Sequence, residues 1–205
     1  MSNSSLVNYT LISPNKNTPR KHKIDKITIH HMAGNLTVEQ CGKVFASKTR
    51  KASSNYGIGT DGRVGLYVDE KDRSWASSSA ANDNRAVTIE VANDEIGGNW
   101  HVSDVAYNKL IELCVDICKR NGIPKLTWTG DKNGTLTVHR MFASTACPGP
   151  YLYSKMPEIA AEVNRRLAQP VSAPAPNVTS PAATATSSSS TTLAPAQSHN
   201  KAKMY

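Results

Sequence analysis

The chain of 205 residues lacks several features that would place it in common classes of protein. No run approaches the ~18 apolar residues that a transmembrane helix needs, so we expect no membrane span. The four cysteines include no C-x-x-C pair, which argues against a structural zinc site or a redox protein. No basic helix and no alternation of basic with aromatic residues is present, so we expect no nucleic acid partner.

An apolar core of signal-peptide length is also missing from the first residues, MSNSSLVNYT. We therefore expect synthesis in a reducing cytosol, where disulfide bonds do not persist. Cys114 and Cys118 lie one helical turn apart, a spacing typical of small buried hydrophobic residues. The net charge of +8 favours anionic partners without choosing among them.

Composition divides the chain into three segments. Residues 1–23 are polar and contain two prolines, which predicts an irregular segment packed on the domain that follows. Residues 24–168 have the mixed composition of a globular domain. Residues 169–205 are almost entirely Pro, Ala, Ser and Thr, and their apolar surface is too small to offset the entropy of ordering. We expect a flexible tail or linker there.

Periodicity and turn signals predict the regular elements of the domain. Strands are expected at 24–29, 55–59, 64–68, 86–91 and 124–128, and helices at 37–49, 104–121 and 157–167. The small and polar residues 76–84 are expected to form a long surface loop. Because helices and strands alternate, we expect an α/β fold with a mixed central β-sheet flanked by helices.

The segment HRMFASTACPG carries His139 and Cys147 eight positions apart, with Pro-Gly directly after the cysteine. Far upstream, in ITIHHMAG, His30 and His31 follow a predicted strand. Two imidazoles and one thiolate make three ligands for one Zn²⁺ and leave its fourth position open, as in catalytic sites. Adjacent side chains on a strand point to opposite sides, so only one of the two neighbouring histidines can face the metal.

A single carboxylate, Glu90, interrupts the apolar strand AVTIEV and shares a face with Thr88. A buried and unpaired carboxylate is costly, so one interpretation places Glu90 on the outer side of an edge strand. The alternative is a general base held beside metal-bound water.

These motifs carry a family resemblance. ITIHHMAG, the hairpin around TDGRV, AVTIEVAND and HRMFASTACPG occur in the order seen in type 2 N-acetylmuramoyl-L-alanine amidases, which the chain resembles from about 24 to 167. That family includes phage endolysins and is related to the peptidoglycan recognition proteins. The resemblance implies that 24–168 is an amidase catalytic domain. It also implies one zinc ion in a groove at one face of the sheet, bound by His30, His139 and Cys147, with His31 in a packing or supporting role.

The resemblance also implies catalytic residues. Many members use a Glu in the strand that contains Glu90 as the base, and others use a Tyr whose position here falls on Ser54. Glu90 is therefore the expected base, and Tyr56, two residues further along, is left as a possible substrate contact. Thr145 is expected to donate to the carbonyl oxygen as negative charge develops, although a loop threonine that bonds its own backbone is the plain alternative.

Three further residues are expected to contact substrate: Trp75, Asn84 and Arg140. The implied reaction is hydrolysis of the amide between N-acetylmuramic acid and L-alanine in bacterial peptidoglycan. The alternative is a non-catalytic peptidoglycan-binding module of the same fold, against which the retention of all three ligands argues. We expect a phage lysin that is made in the host cytoplasm and reaches the wall after release; export by another route is the alternative. We expect that a wall-binding module after the linker has been cut away or is absent, or that the tail itself makes contacts.

Overall fold

The structure is a computed structural model and describes residues 2–169. Its strands are β1 (Val7–Thr10), β2 (Lys16–Asn17), β3 (Lys26–His31), β4 (Tyr56–Ile58), β5 (Val64–Leu66), β6 (Arg73–Ser74), β7 (Ala86–Val91) and β8 (Leu136–Val138). Its helices are α1 (Val38–Ala46), α2 (Ala80–Arg85), α3 (Asp104–Asn121) and α4 (Gly149–Ala168), with 3₁₀ turns at Lys48–Arg50 and His139–Met141.

Six of the strands form one mixed sheet in the order β1-β5-β4-β7-β3-β8. β3 pairs in parallel with both β7 and β8, β7 pairs in parallel with β4, and the β4–β5 hairpin is antiparallel. β2 and β6 form a separate antiparallel pair. The prediction of a mixed central sheet flanked by helices is therefore confirmed.

Alternation along the strands gives the sheet two different faces. One face carries the apolar residues of β3 and β7, and α3 and α4 cover it to form the main hydrophobic core. The other face carries Thr28 and His30 of β3 and their register partners Thr88 and Glu90 of β7. Helices α1 and α2 lie over this second face, α1 above the hairpin and α2 beside β6 and β7. The polar strand positions thus converge on a single face between two helices.

Local signals in the sequence account for the helices that were predicted well. Thr37 and Gln40 form a reciprocal capping box at the start of α1. Ser103 caps α3, and Gly122 ends it in the left-handed conformation with a φ of +67°. Cys114 and Cys118 are buried in α3, as their spacing predicted.

The prediction that 1–23 is irregular is wrong at two places. β1 adds a parallel edge strand to the main sheet, with alternating half-buried and exposed residues, and β2 pairs with β6. Arg20 fixes the end of this segment, because its buried guanidinium donates to the carbonyl oxygens of residues 70, 72, 83, 84 and 86. The amino-terminal segment is therefore part of the fold.

Three further elements differ from their predictions. α2 (Ala80–Arg85) takes in residues 80–84 of the predicted surface loop, and Ser79 caps it through the N–H of Asn82 at 3.3 Å. α4 begins at Gly149 and not near Pro157, which it accommodates in its interior. Residues 124–128 form no strand; Asn164 of α4 bonds both backbone groups of Leu126 instead.

The predicted tail, 169–205, lies outside the described residues beyond Gln169. Within the described part of the chain, no helix is both long and apolar enough to cross a membrane.

Candidate metal centre

Three side chains from distant parts of the chain meet at one edge of the sheet. His30 lies near the carboxyl end of β3, His139 follows β8 directly, and Cys147 lies in the loop before α4. Because β3 and β8 are parallel neighbours, their carboxyl ends bring the two histidines together, with ring centroids 4.7 Å apart. One ligand atom from each of the three residues lies within 4.8 Å of the others. The predicted triad is thus assembled in space.

The surroundings of the triad fit a metal ion. Nε2 of His30 and Nε2 of His139 are buried, and neither has a hydrogen-bond partner among residues 2–169. Burial lowers the pKa of both imidazoles, and at His30 the neighbouring His139 lowers it further, which favours the neutral rings that can bind a metal ion. Two imidazoles and a thiol are the donor types that zinc prefers.

Cys147 is buried, and burial raises the pKa of its thiol, with the Glu90 carboxylate adding to the rise. A hydrogen bond from the His31 backbone and the positive charge of Arg140 act in the opposite direction. A bound cation would favour the thiolate further, since metal binding displaces the thiol proton.

Glu90 lies beside the triad on a central strand. β7 has β4 on one side and β3 on the other, so the edge-strand interpretation of Glu90 is wrong. Its Oε1 lies 3.9 Å from Nδ1 of His30, and its side chain is 16% exposed. Oε2 is buried without a partner in the described residues. Burial raises the pKa of Glu90 to about 8, although the charge of Arg50 opposes the rise.

The residues around the triad line a cavity of about 270 Å³ that opens to solvent. Glu90, Thr145, His139 and Cys147 are among its lining residues. Oγ1 of Thr145 accepts a hydrogen bond from the backbone N–H of Cys147 at 3.2 Å. This is the contact with nearby backbone that the structural alternative for Thr145 predicts. That contact uses an oxygen lone pair, so the hydroxyl proton is still free to be donated.

His31 also lines this cavity, yet it is not part of the triad. Its ring packs edge-on against Trp100, with centroids 5.2 Å apart, and Gly149 passes close to the same ring. The packing role expected for His31 agrees with these contacts.

The predicted substrate contacts have different outcomes. Trp75 lines the cavity, half-buried, with its indole N–H donating to Asn17 at 2.7 Å. Tyr56 is fully buried, and its hydroxyl donates to Glu70 at 2.7 Å and accepts from Ser4 N–H, so the prediction that it contacts substrate is wrong. β4 turns this side chain towards the main core.

The two polar candidates do not line the cavity either. Asn84 lies on α2, where its side chain bonds the backbone of Lys21 and Ala80. Arg140 is exposed beside the triad, and its guanidinium lies 4.8 Å from the ring centroid of Tyr153 while donating to a backbone carbonyl. These local partners do not test whether either side chain contacts substrate, so both assignments stay predictions.

Part of the cavity lining was not predicted from the sequence. It comes from α1 and its flanking segments and includes Met32, Leu36, Val44 and Arg50. Val44 is an apolar residue of α1 that is 41% exposed and lines the cavity.

The fold and the site together define a class: an α/β protein with a mixed sheet and a group of two histidines and one cysteine that can hold a metal ion beside a buried carboxylate. The N-acetylmuramoyl-L-alanine amidase family (Amidase_2) matches residues 20–150, and the chain belongs to this family.

Solved structures share the fold at low sequence identity. The endolysin and N-acetylmuramoyl-L-alanine amidase LysCS from Clostridium intestinale URNW is 23% identical, with a TM-score of 0.55 over 77% of this chain and 93% of LysCS. The PlyG catalytic domain is 14% identical, with a TM-score of 0.61 over 82% of this chain and 98% of that domain. A mutant endolysin from Bacillus subtilis is also 14% identical, with a TM-score of 0.59 over 77% and 99% of the two chains. No curated protein sequence matches the chain significantly.

Proposed function

We propose that the protein is a zinc-dependent peptidoglycan hydrolase that cleaves the amide between N-acetylmuramic acid and L-alanine. The observation that carries the proposal is the convergence of His30, His139 and Cys147 on one point beside the Glu90 carboxylate. Membership of the amidase family supplies the bond that is cut.

We assign the three triad residues as the ligands of one zinc ion. Their unpartnered imidazole nitrogens and the thiol match the donor preference of that metal. Three protein ligands leave one coordination position for water or substrate. When bound, zinc lowers the pKa of a coordinated water and polarises a carbonyl group.

Glu90 is the general base of this proposal. The carboxyl group lines the cavity, and its Oε2 has no partner in the described residues. The positive charge of a bound zinc ion would lower the pKa that burial raises, and the carboxylate could then accept a proton from the attacking water. The same carboxyl group then gives that proton to the nitrogen of L-alanine as the amide bond breaks. Thr145 donates its hydroxyl proton towards the carbonyl oxygen, which gains negative charge during the attack.

We further propose that the protein acts on the cell wall as a phage lysin. LysCS and the Bacillus subtilis protein are endolysins by name, and both share the fold over most of this chain. A non-catalytic wall-binding module would need none of the three ligands, and all three are present.

Mass spectrometry of digested peptidoglycan tests the bond specificity. The zinc-loaded protein should release peptides that begin with L-alanine, and Glu90→Gln should release almost none under the same conditions. New reducing sugar ends without peptides that begin with L-alanine would refute the amidase assignment. Tight binding to peptidoglycan without any cleavage would favour the non-catalytic module.

A further inference from the structure

A second cavity adjoins the candidate active site. It has a volume of about 400 Å³, and His139, Trp75, Ala52 and Ala76 line both cavities. His139 is one of the proposed metal ligands, so the second cavity begins at the reacting centre. An extended peptide advances about 3.3–3.6 Å per residue, so the first residues beyond a bond cut at the metal would reach it.

The second cavity has a cationic lining. Lys51 and Arg73 contribute to it, and neither forms an ion pair with an acidic residue in the described part of the chain. Arg73 is half-buried and donates to Oδ1 of Asn17, the same oxygen that accepts from the Trp75 indole. Asn17 therefore holds both side chains on the wall of the cavity.

The acidic residue of this lining, Asp83, is occupied by other groups. Its carboxylate is buried and accepts from the backbone N–H groups of Ala76 and Ser77 and from the Ser77 hydroxyl. These bonds fix the loop that closes one side of the cavity and satisfy both carboxylate oxygens. The cavity is thus preformed. The charge of Arg73 opposes the rise that burial causes in the pKa of Asp83, so the two side chains interact, but the Asp83 carboxylate is buried and both of its oxygens are already bonded.

We propose that this cavity binds the peptide on the leaving-group side of the scissile amide, and that Lys51 and Arg73 select peptides with a free carboxylate. The inference rests on the proposed function. An N-acetylated sugar whose lactyl carboxyl is already amide-bound carries no charge, whereas the peptide beyond L-alanine carries carboxylates. A cationic cavity next to the metal ligands therefore fits the peptide side of the substrate and not the sugar side.

Binding of product-like peptides tests the subsite without any cleavage. The probes are tripeptides that begin with L-alanine, in a form with all carboxylates free and a form with all converted to carboxamides. Hydrogen bonds to charged groups contribute about 1.5–3 kcal/mol, so calorimetry on the zinc-loaded protein should show about 10- to 100-fold tighter binding of the acid form.

Substitutions locate the preference in the two cations. Lys51→Gln and Arg73→Gln should each remove most of the preference for the acid form, while Arg73→Lys keeps part of it. Lys48→Gln and Lys71→Gln are matched controls, because both change the same charge at exposed residues that do not line the cavity. Equal affinity for the two peptides in the wild type, or no binding of either, would overturn the proposal. Equal weakening of both peptides by the two test variants would overturn it as well.

Cleavage of the matching N-acetylmuramoyl tripeptides separates this proposal from the amidase assignment. The acid substrate should be cut with a kcat/KM about 10-fold or more above that of the amidated one, in line with the binding preference. Selective binding of the acid peptide without cleavage of either substrate would support the subsite and refute the amidase. Efficient cleavage of both substrates with no preference would support the amidase and refute the subsite.

Discussion

Replacing Cys147 by alanine should show whether this residue is a metal ligand or only a buried side chain of the fold. The substitution removes one of three donor atoms that lie within 4.8 Å of one another, so zinc affinity should collapse. A ligand present at 1,000 times its Kd stabilises a folded protein by about 4 kcal/mol. For a domain of this size, 1 kcal/mol shifts Tm by roughly 2–4 °C, so zinc should raise the Tm of the wild type by roughly 8–16 °C. Cys147→Ala should lose this rise entirely.

Cys118→Ala is the matched control, because Cys118 is also a free and buried cysteine but lies in α3, away from the triad. Both variants should lose about 1 kcal/mol of stability from the missing sulfur atom. The assay measures bound zinc per chain and Tm with and without a chelator. The control should bind one zinc and keep the chelator-sensitive rise. Full zinc occupancy in Cys147→Ala, or a similar loss in both variants, would refute the assignment of Cys147 as a ligand.

Three other substitutions test individual roles. Glu90→Gln should keep one bound zinc while kcat falls by about 10²- to 10⁴-fold; a near-normal rate with zinc bound would transfer the role of base to another group. Thr145→Val should lower kcat by about 10²-fold or more, with Thr145→Ser restoring most of it, because only the hydroxyl can donate to the developing oxyanion; an unchanged rate would leave Thr145 a purely structural loop residue. Tyr56→Phe should lower the free energy of unfolding by about 1–3 kcal/mol, since the bonds to Glu70 and Ser4 are lost, without changing kcat/KM of the folded protein; a selective rise in KM would restore Tyr56 as a substrate contact.

The elements that sequence predicts well are those whose signal is local. The helix at 104–121 has a capping serine, a regular apolar stripe and a terminal glycine, and its predicted bounds agree with α3. The hairpin follows from the Asp-Gly turn, because Gly62 adopts a φ of +78° that other residues rarely adopt. The triad could be proposed because histidines placed directly after apolar strands lie at the carboxyl edge of the sheet.

Elements that depend on distant partners could not be predicted in the same way. β1 is polar and short, and only its pairing with β5 makes it a strand. α2 has no apolar stripe, and its buried residues are Asn82 and Asp83, which are satisfied mainly by the loop before the helix and by Thr28. Tyr56 was assigned to the wrong side of the sheet because counting positions from a turn does not reveal which face a hairpin strand buries.

The positions of buried polar atoms that lack a hydrogen-bond partner support a functional origin for the candidate metal centre. Buried side-chain nitrogen or oxygen atoms without a partner belong to seven residues in the described part of the chain, and four of these are His30, His31, Glu90 and His139. Buried polar groups normally have partners, because each one left without costs about 1–3 kcal/mol. A sheet selected only for stability would carry apolar or hydroxyl side chains at these positions, as it does at Thr28 and Thr88. The cost of these unpartnered atoms is concentrated around the triad, where a bound cation and a polar substrate would supply the missing partners. This pattern is expected where function overrides local stability.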